Sequence, residues 1–439
     1  MNWIQLLNSN RFGAETTAQQ SLDQTRTDFQ RDYDRIIFSS PFRRLQNKTQ
    51  VFPLPGGIFV HNRLTHSLEV SSVGRSLGNN VLSLIDDQLI GEEKFVINQL
   101  PTVVSAACLA HDMGNPPFGH SGEEAIRKYF IDNESRYKHL VDAWEWNDLV
   151  RFEGNANALR LLTHQFKGRR FGGYRLSYAV LASILKYPYQ SLSGKKKFGY
   201  FKAETGVFDS IVEATGLVKN ADGEYCRHPL VYLVEAADDI CYQVMDIEDA
   251  HKLGILSTAQ TFDLYRAFFN DDSQAKKDSI DKTLADVTDP NEQVAYLRAI
   301  VISKLVDSCS CNFSSNYARI MNGEPIKPLI DGLTGAPKLA METIRNLSVK
   351  RVYNHRKVVE IEIAGFQIIG SLLDIFCQAS LNPESGYSKK VLQLIPDQFQ
   401  VVGTNYEKIL SVLDFVSGMT DVYALEIYRL IKGINLPLL

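Results

Sequence analysis

Apolar residues recur at helical spacing along most of this chain, and this pattern constrains the fold more than any other feature. In residues 63–85 the residues at steps of three and four are His66, Val70, Val73, Leu77, Val81 and Leu84. Such a stripe is typical of the buried side of an amphipathic helix. The segment PTVVSAACLAHD, residues 101–112, opens with proline and is apolar on nearly every side. It therefore predicts a helix at the centre of the fold.

A third long helix is predicted over residues 229–254, where proline begins the segment and glycine ends it. Further helical patterns cover residues 176–188, 292–321, 338–352 and 405–434. The expected fold class is mainly α, with a helical C-terminal region.

Strand patterns are few. VFPLPGGIFV near 51–60 alternates weakly, and VVEIEIAGFQII at 358–369 contains an Ala-Gly pair that predicts the turn of a short hairpin. We therefore expect one or two short β-hairpins. The polar stretch 270–291 and the lysine run 195–197 are expected to be solvated loops.

The charge balance offers no general attraction for a polyanion. Among 439 residues, 47 Lys and Arg face 51 Asp and Glu, for a net charge of −4. A local basic pocket for a small anion remains compatible with this balance. The amino terminus lacks the pattern of a secretory signal, and no run of about 18 apolar residues occurs. We expect a cytoplasmic protein without a membrane span.

Ionisable side chains on the three long helices suggest a metal site. His66 lies on the first stripe, His111 and Asp112 end the central helix, and Asp238 lies on the third helix beside apolar residues. Two imidazoles and two carboxylates form a nitrogen and oxygen donor set without thiolate. This set favours manganese, magnesium or iron over structural zinc. Taken singly, His66 also fits a core histidine, and Asp238 a helix cap or an arginine partner.

Several segments then resemble, in order, the motifs of the deoxyguanosine triphosphate triphosphohydrolases, a family of HD-domain phosphohydrolases. These segments are RDYDRIIFSSPFRRLQNKTQVF (31–52), NRLTHSLEV (62–70), HDMGNPPFGHSGEEA (111–125), FEGNANALRLL (152–162), LKYP (185–188) and EAADDICYQVMDIEDA (235–250). The resemblance implies an HD-type metal phosphohydrolase core with an N-terminal substrate-binding segment over 1–255. It implies a helical region over 256–439 that completes the nucleotide pocket and an oligomer interface.

The resemblance to the family also implies catalytic roles for residues in the segment after Asp112. The resemblance implies hydrolysis of dGTP or other dNTPs at the α-phosphorus, which yields the deoxynucleoside and tripolyphosphate. It makes His120 the catalytic histidine and Glu123 its orienting carboxylate. The Asn-Pro-Pro break would turn the chain so that His120 returns towards the metal. We expect Ser121 to cap the following helix, and Gly119 and Gly122 to leave space for substrate.

The resemblance also implies contacts with the substrate. In chain order, they are Gln50 at the sugar, Arg63 at the α-phosphate, Asn115 and Asn155 as candidates at the triphosphate, Lys186 and Tyr187 at the triphosphate, Tyr242 stacked on the deoxyribose, Asp246 at the 3′-hydroxyl, and Arg351 and Tyr353 at base or phosphate. Structural explanations stay open for some of them. Asn before Pro is also good turn chemistry, and the cluster around Arg351 also fits a solvated helix end.

Family members assemble as tetramers or hexamers and some use dNTPs as activators, so a homo-oligomer and an activator are expected by resemblance. Among substrates dGTP is favoured. Two other functions remain open: another HD-domain nucleotide phosphatase or phosphodiesterase, and a nucleotide-sensing or single-strand nucleic-acid-binding protein. The charge balance gives no support to nucleic-acid binding.

Overall fold

The computed structural model describes residues 1–14, 26–52 and 60–434, and within these ranges it contains 22 α-helices. The helices before residue 255 are α1 (Trp3–Leu6), α2 (Asp28–Ile37), α3 (Ser40–Arg44), α4 (Arg63–Ile85), α5 (Glu93–Val96), α6 (Leu100–Ala110), α7 (Gly119–Asp132), α8 (Glu134–Tyr137), α9 (Ala143–Val150), α10 (Gly154–Thr163), α11 (Tyr178–Ile184), α12 (Thr205–Thr215) and α13 (Pro229–Lys252). The later helices are α14 (Thr258–Arg266), α15 (Gln274–Asp286), α16 (Pro290–Ser315), α17 (Tyr317–Met321), α18 (Gly335–Leu347), α19 (Arg356–Leu381), α20 (Gly386–Leu392), α21 (Asn405–Ser417) and α22 (Asp421–Ile431). The mainly α prediction is confirmed.

The three long helices of the prediction, α4, α6 and α13, pack against one another. Asn62 caps α4, because its side chain accepts the backbone N–H of Thr65 and the Thr65 hydroxyl accepts the N–H of Asn62 in return. Helix α6 is buried along almost its whole length. Between α4 and α6 the hydroxyl of Ser71 donates to the carbonyl oxygen of Ser105 at 2.9 Å. This bond satisfies polar groups inside an otherwise apolar contact.

The third helix, α13, begins at the predicted proline. His228 precedes it as N-cap and accepts the N–H of Leu230 through Nδ1. The other ring nitrogen, Nε2, donates to the carbonyl oxygen of Leu6 at 3.0 Å. His228 thus ties the start of α13 to the amino-terminal segment.

The hairpin predicted at 358–369 is wrong, because this segment lies inside the continuous helix α19. The buried residues of α19 follow helical spacing and include Ile368, Ile369, Leu372 and Leu373. Ile363, which a strand would bury together with its alternate neighbours, is 63% exposed. The apolar residues at helical spacing continue past residue 369 to the end of α19, whereas the alternation covers only a few residues, and the longer pattern determines the conformation. The strand predicted near 51–60 lies largely outside the described residues.

Two smaller predictions also need correction. The stretch 270–291 is not a loop throughout, because α15 occupies residues 274–286 and buries Ile280 and Leu284 at a step of four. In α4 the buried stripe ends at Ile85, and Leu84 is 43% exposed.

Helices from the C-terminal region cover the core. Helix α16 packs on α4 and α13, and α19 packs on α7 and α21. A buried cluster of three charged side chains joins the core to the C-terminal region. Arg160 of α10 donates Nε and Nη2 to Asp414 of α21 at 2.8 and 2.7 Å. Its Nη1 donates to Glu204 at 2.6 Å. Among the described helices none has both the length and the apolar character needed to cross a membrane.

Candidate metal centre and active-site cleft

An open cleft with a cavity volume of about 260 Å³ lies where α4, α6, α7 and α13 meet. The predicted site residues that line it are Gln50, Arg63, His111, Asp112, Asn115, His120, Glu123, Asn155, Lys186, Tyr187, Asp238 and Tyr242. His66 is buried beside this wall, whereas Asp246, Arg351 and Tyr353 do not line the cleft. Most of the predicted site therefore comes together in one place, although the segments are far apart in the sequence.

The four candidate metal ligands converge at the floor of the cleft. Asp238 Oδ1 lies 3.1 Å from His66 Nε2 and 3.5 Å from His111 Nε2, and Asp112 Oδ1 lies 3.7 Å from His111 Nε2. Ligand atoms of His66, His111 and Asp112 all lie within 4.8 Å of one another. Three helix segments thus present two imidazoles and two carboxylates to one small volume.

The end of α6 fixes the orientation of the His111 ring. Because α6 stops at Ala110, its last carbonyls lack helical partners, and the carbonyl of Cys108 accepts Nδ1–H of His111. Nε2 of His111 is buried and has no hydrogen-bond partner among the described residues. A buried nitrogen without a hydrogen-bond partner, 3.7 Å from Asp112 Oδ1 and 3.5 Å from Asp238 Oδ1, fits a bound cation that replaces its proton.

The charges of the centre compensate one another. Burial opposes protonation of His111, but the carboxylates of Asp112 and Asp238 raise its pKa to about 9. Burial alone would raise the pKa of Asp238, yet the His111 and His66 imidazoles hold it well below its ordinary value. The carboxylates therefore attract positive charge strongly, and a divalent ion would supply it in place of the imidazole protons.

The turn after Asp112 brings His120 into the cleft. His120 is 76% exposed through its side chain, and its Nδ1 lies 3.2 Å from Oε2 of the buried Glu123. Glu123 Oε1 also accepts the N–H of Gly154 at 2.6 Å. Burial would raise the pKa of Glu123, but the hydrogen bond and charge of His120 lower it below its ordinary value. Glu123 is thus a fixed acceptor that orients one ring nitrogen of His120.

The start of α7 differs from the prediction. The helix begins at Gly119, two residues before Ser121, and its N-cap is Phe118 in the left-handed conformation. Ser121 is therefore not the cap. The two glycines lie against other parts of the protein. A Cβ on Gly119 would lie 2.5 Å from Nη2 of Arg63, and one on Gly122 would collide with the carbonyl of Pro117. Close packing against backbone therefore requires glycine at 122, whereas at 119 the left-handed conformation, with φ +58, favours it.

Among the residues that the structure describes, three lysine and arginine side chains line the cleft. Arg63 donates Nη1 to Asp112 at 2.6 Å, and Nζ of Lys186 lies 3.2 Å from Glu235. Lys197, expected in a solvated loop, also lines the cleft, with Nζ 3.5 Å from Glu153. Burial alone would lower the pKa of Lys186, but the carboxylates of Glu235 and Asp238 raise it above its ordinary value. These cations form a binding surface for an anionic ligand.

The amides and the acids behind them are held in place. Nδ2 of Asn115 donates to Asp112 Oδ1 at 2.5 Å, and Nδ2 of Asn155 donates to Glu153 Oε1 at 2.7 Å. Arg227 donates to Glu235 at 3.0 Å through the carboxylate oxygen that Lys186 does not contact. Asn115, Asn155 and Glu235 are therefore each restrained by a neighbouring side chain.

The predicted sugar contacts are arranged in two layers. Tyr242 lines the cleft, and its ring is stacked on that of Tyr353, with centroids 5.8 Å apart. The Tyr353 hydroxyl donates to Asp246 Oδ2 at 2.8 Å. Burial raises the pKa of Asp246 to about 8. Tyr353 and Asp246 therefore lie behind Tyr242. Arg351 is outside this arrangement and donates to the carbonyl of Ile255 at 2.7 Å.

Sequence reasoning missed four acids and bases of the cleft wall. Glu153, Lys197, Glu235 and Asp239 all line it. Glu153 and Glu235 stand within the EGN and EAADD motifs, so an acid in a buried segment was an available signal. For Lys197 the local sequence contains no such signal, because the lysine run resembles a solvated loop.

Comparison with known proteins places this geometry in a class. Residues 63–169 match the family model described as HD domain, and residues 334–430 match the one described as phosphohydrolase-associated domain. The first range contains His66, His111 and Asp112. The paired histidine and aspartate side chains, as candidate metal ligands, and the matched domains together define an HD-domain phosphohydrolase.

Full-length relatives narrow the class. A protein of Synechocystis sp. named deoxyguanosinetriphosphate triphosphohydrolase-like protein is 37% identical, with 99% of this chain and 100% of the relative aligned. A Pseudomonas aeruginosa protein of the same name is 36% identical over 100% of both chains. The deoxyguanosinetriphosphate triphosphohydrolase of Yersinia enterocolitica is 30% identical over 95% of this chain and 96% of its own. The chain belongs to the deoxyguanosinetriphosphate triphosphohydrolase family of HD-domain proteins, and it is a hydrolase.

Proposed function

We propose that this protein is a metal-dependent dNTP triphosphohydrolase, with dGTP the favoured substrate. Water attacks the α-phosphorus, the 5′-oxygen leaves, and the products are the deoxynucleoside and inorganic tripolyphosphate. The observation that carries this proposal is the shared cleft: the His120–Glu123 pair, three cationic side chains and the four candidate metal ligands line or adjoin one space. The family membership of the chain supports the same reaction.

The donor set supports a divalent cation. His66, His111, Asp112 and Asp238 would hold it, and the buried unpartnered Nε2 of His111 fits a coordination bond. Oxygen and nitrogen donors without thiolate favour Mn²⁺ or Mg²⁺, with Fe²⁺ as the third candidate. When bound, such an ion supplies Lewis-acid polarisation of a phosphoryl oxygen.

The protein's own side chains would handle the remaining charge and protons. Arg63, Lys186 and Lys197 offset the negative charge of a triphosphate. Glu123 holds Nδ1 of His120, which leaves Nε2 available to exchange a proton with the attacking water or the leaving oxygen. The exposure of His120 makes this exchange sterically open.

Tyr242 supports selection of deoxyribose. Its ring is fixed between the cleft and the Tyr353 ring, and Tyr353 is fixed in turn by its bond to Asp246. A rigid tyrosine against the sugar leaves no space for a 2′-hydroxyl. Ribonucleotides would then be rejected sterically, and this rejection makes GTP a matched negative control for dGTP.

Residues 1–255 would form the phosphohydrolase core, and residues 256–439 a helical region that completes the pocket. Assembly into a homo-oligomer and activation by a dNTP are expected as well, both by resemblance to the family. Light scattering on the purified chain, with and without dNTP, measures the assembly directly.

Product analysis tests the proposed reaction. The purified protein is incubated with each dNTP, with GTP and with dNTP mixtures, in Mn²⁺ or Mg²⁺, and the phosphate products are resolved. Deoxynucleoside with intact tripolyphosphate is the expected result. Pyrophosphate or orthophosphate as the first product would instead identify another HD-domain phosphatase. No turnover of any mixture would contradict the proposal and favour a nucleotide-sensing protein.

A further inference from the structure

The carboxylate of Asp421, at the start of α22, joins two segments that lead into the cleft. Its Oδ2 accepts the backbone N–H of Thr49 at 2.8 Å, and its Oδ1 accepts the backbone N–H of Phe118 at 2.9 Å. The residue is only 8% exposed. One side chain of the C-terminal region therefore holds two main-chain segments that are 69 positions apart in sequence.

Both segments end at cleft residues. Thr49 immediately precedes Gln50, and Phe118 lies two residues before His120, so each bond fixes the backbone beside a side chain of the cleft wall. Phe118 has φ +64, in the left-handed region that side chains other than glycine rarely adopt. A residue in this conformation persists only where surrounding contacts hold it. The bond to Asp421 and the contact with Gly365 of α19 are such restraints.

A second polar bridge runs beside the first. The ammonium of Lys48, which is buried, donates to the carbonyl of Asn115 at 2.6 Å and to the carbonyl of Ser417 at 2.8 Å. Ser417 is the last residue of α21. The turn between Asn115 and Phe118 is thus held at both ends by the corner between α21 and α22.

The helix itself does not need Asp421 as a cap. The side chain of Thr420 caps α22 by accepting the N–H of Tyr423. An acid in the first turn favours the helix dipole only modestly. The buried carboxylate with two backbone donors from other segments therefore calls for a role beyond the stability of α22.

We propose that Asp421 is a positioning residue, which acts through the Phe118 turn and the Thr49 segment to place His120 and Gln50 beside the metal centre. The C-terminal corner is then part of the catalytic apparatus. This inference rests on the proposed function for its kinetic consequence. The holding of the two segments can be measured without substrate.

Asp421→Asn provides the first test. Asparagine offers one acceptor oxygen for two N–H donors, so one of the two segments is released while the size of the side chain is kept. We expect kcat to fall by about 10-fold to 100-fold, as displacement of a catalytic group by about 1 Å does. Bound metal per chain should not change, because none of the candidate ligands touches Asp421. KM for dGTP should rise only where the Thr49 segment is the one released, because Gln50 is the predicted sugar contact.

Asp148→Asn is the matched control. Asp148 is also a buried acid with a backbone donor, Lys202 N–H at 2.8 Å, and it also contacts the C-terminal region, through the Tyr406 hydroxyl at 2.5 Å. It does not line the cleft. We expect this variant to keep the wild-type kcat, although both substitutions disturb a buried carboxylate between the same two regions.

Hydrogen exchange separates this inference from the proposed reaction. In Asp421→Asn, deuterium uptake should rise in peptides covering 45–50 or 112–120, whereas Asp148→Asn should leave these peptides protected. If Asp421→Asn folds poorly, Lys48→Met tests the same corner, with the same loss of kcat expected. An unchanged kcat with unchanged exchange in these peptides would overturn the inference, as would an equal loss of kcat in the control. If the wild-type protein turned over no dNTP, the proposed reaction would be wrong. The exchange result would still decide whether Asp421 holds the Thr49 and Phe118 segments.

Discussion

The Nδ1–H of His111 donates a hydrogen bond of 2.6 Å to the carbonyl oxygen of Cys108, three residues earlier. A helix that ends at this point leaves that carbonyl without a helical partner, so the helix end selects the tautomer of the ligand that follows it. The other ring nitrogen faces Asp238 at 3.5 Å. The geometry of the candidate metal centre therefore depends on where α6 stops, as well as on which residues surround the centre.

His66→Ala and His120→Ala should separate metal binding from catalysis. Removing His66 takes one of four ligands from the buried centre, and we expect loss of both bound metal and activity. Removing His120 leaves all four ligands, so metal should remain while the rate falls by about 10² to 10⁴. Elemental analysis and product formation measure the two effects. Stoichiometric metal in His66→Ala would remove His66 from the ligand set, and near-native turnover in His120→Ala would remove the proton role.

Glu123→Gln should slow the reaction without loss of metal. Its amide can still accept the N–H of Gly154, but the amide nitrogen cannot accept Nδ1–H of His120, and the ring orientation changes. Loss of such an orienting partner costs about 10-fold to 100-fold in activity. Steady-state kinetics at several pH values provide the measurement. Glu124→Gln, on the adjacent residue outside the cleft, is the control and should be near wild type.

Arg160→Ala should destabilise the fold strongly. The substitution leaves the buried carboxylates of Asp414 and Glu204 without their cation, and breaking such a pair costs about 3 to 5 kcal/mol. Urea unfolding gives the free energy of unfolding. Arg345→Ala is the control, because Arg345 and Asp331 form a half-exposed pair at 3.3 Å that should contribute less than about 1 kcal/mol. Equal losses in both variants would contradict the argument.

The long helices could be predicted because their information is local. Apolar spacing, a proline at the start and a glycine at the end all lie within α13 or beside it, and α4 and α6 carry the same kind of signals. Since the candidate ligands lie on these three helices, their convergence followed once the helices were expected to pack together. The prediction failed at 358–369, where β-branched alternation competes with a helical stripe that is longer than the segment considered.

The features of the cleft that could not be predicted depend on contacts between segments that are distant in the sequence. Asp246 follows Tyr242 by four residues and was expected beside it in the cleft, but Tyr353, 107 positions after Asp246, covers it. Lys197 reaches the cleft from a loop whose residues Gln190 and Tyr200 form a bridge. Local spacing contains no information on either event. The start of α7 likewise depends on Asp421, which holds Phe118 from a position about 300 residues away.

The stability of the fold should decrease below neutral pH partly through His228. Both ring nitrogens are engaged in the neutral form, because Nε2–H donates to Leu6 and Nδ1 accepts from Leu230. Burial lowers the pKa of His228 to about 4, from an ordinary value of 6.5. Between these values the unfolded chain binds the proton and the folded chain does not. Stability is therefore lost as the pH falls from 6.5 towards 4, by about 2 kcal/mol between pH 8 and pH 5.

His228→Asn isolates this contribution. Asparagine is a good N-cap and its oxygen can accept the N–H of Leu230, but it does not titrate. Urea unfolding of both proteins at pH 8 and pH 5, with chelator present, leaves every other histidine in common. The variant starts from a lower stability because a buried ring is lost, yet its decrease between the two pH values should be smaller by about 2 kcal/mol. Parallel pH profiles would mean that His228 is protonated equally in the folded and unfolded states, which the two hydrogen bonds of the neutral ring oppose.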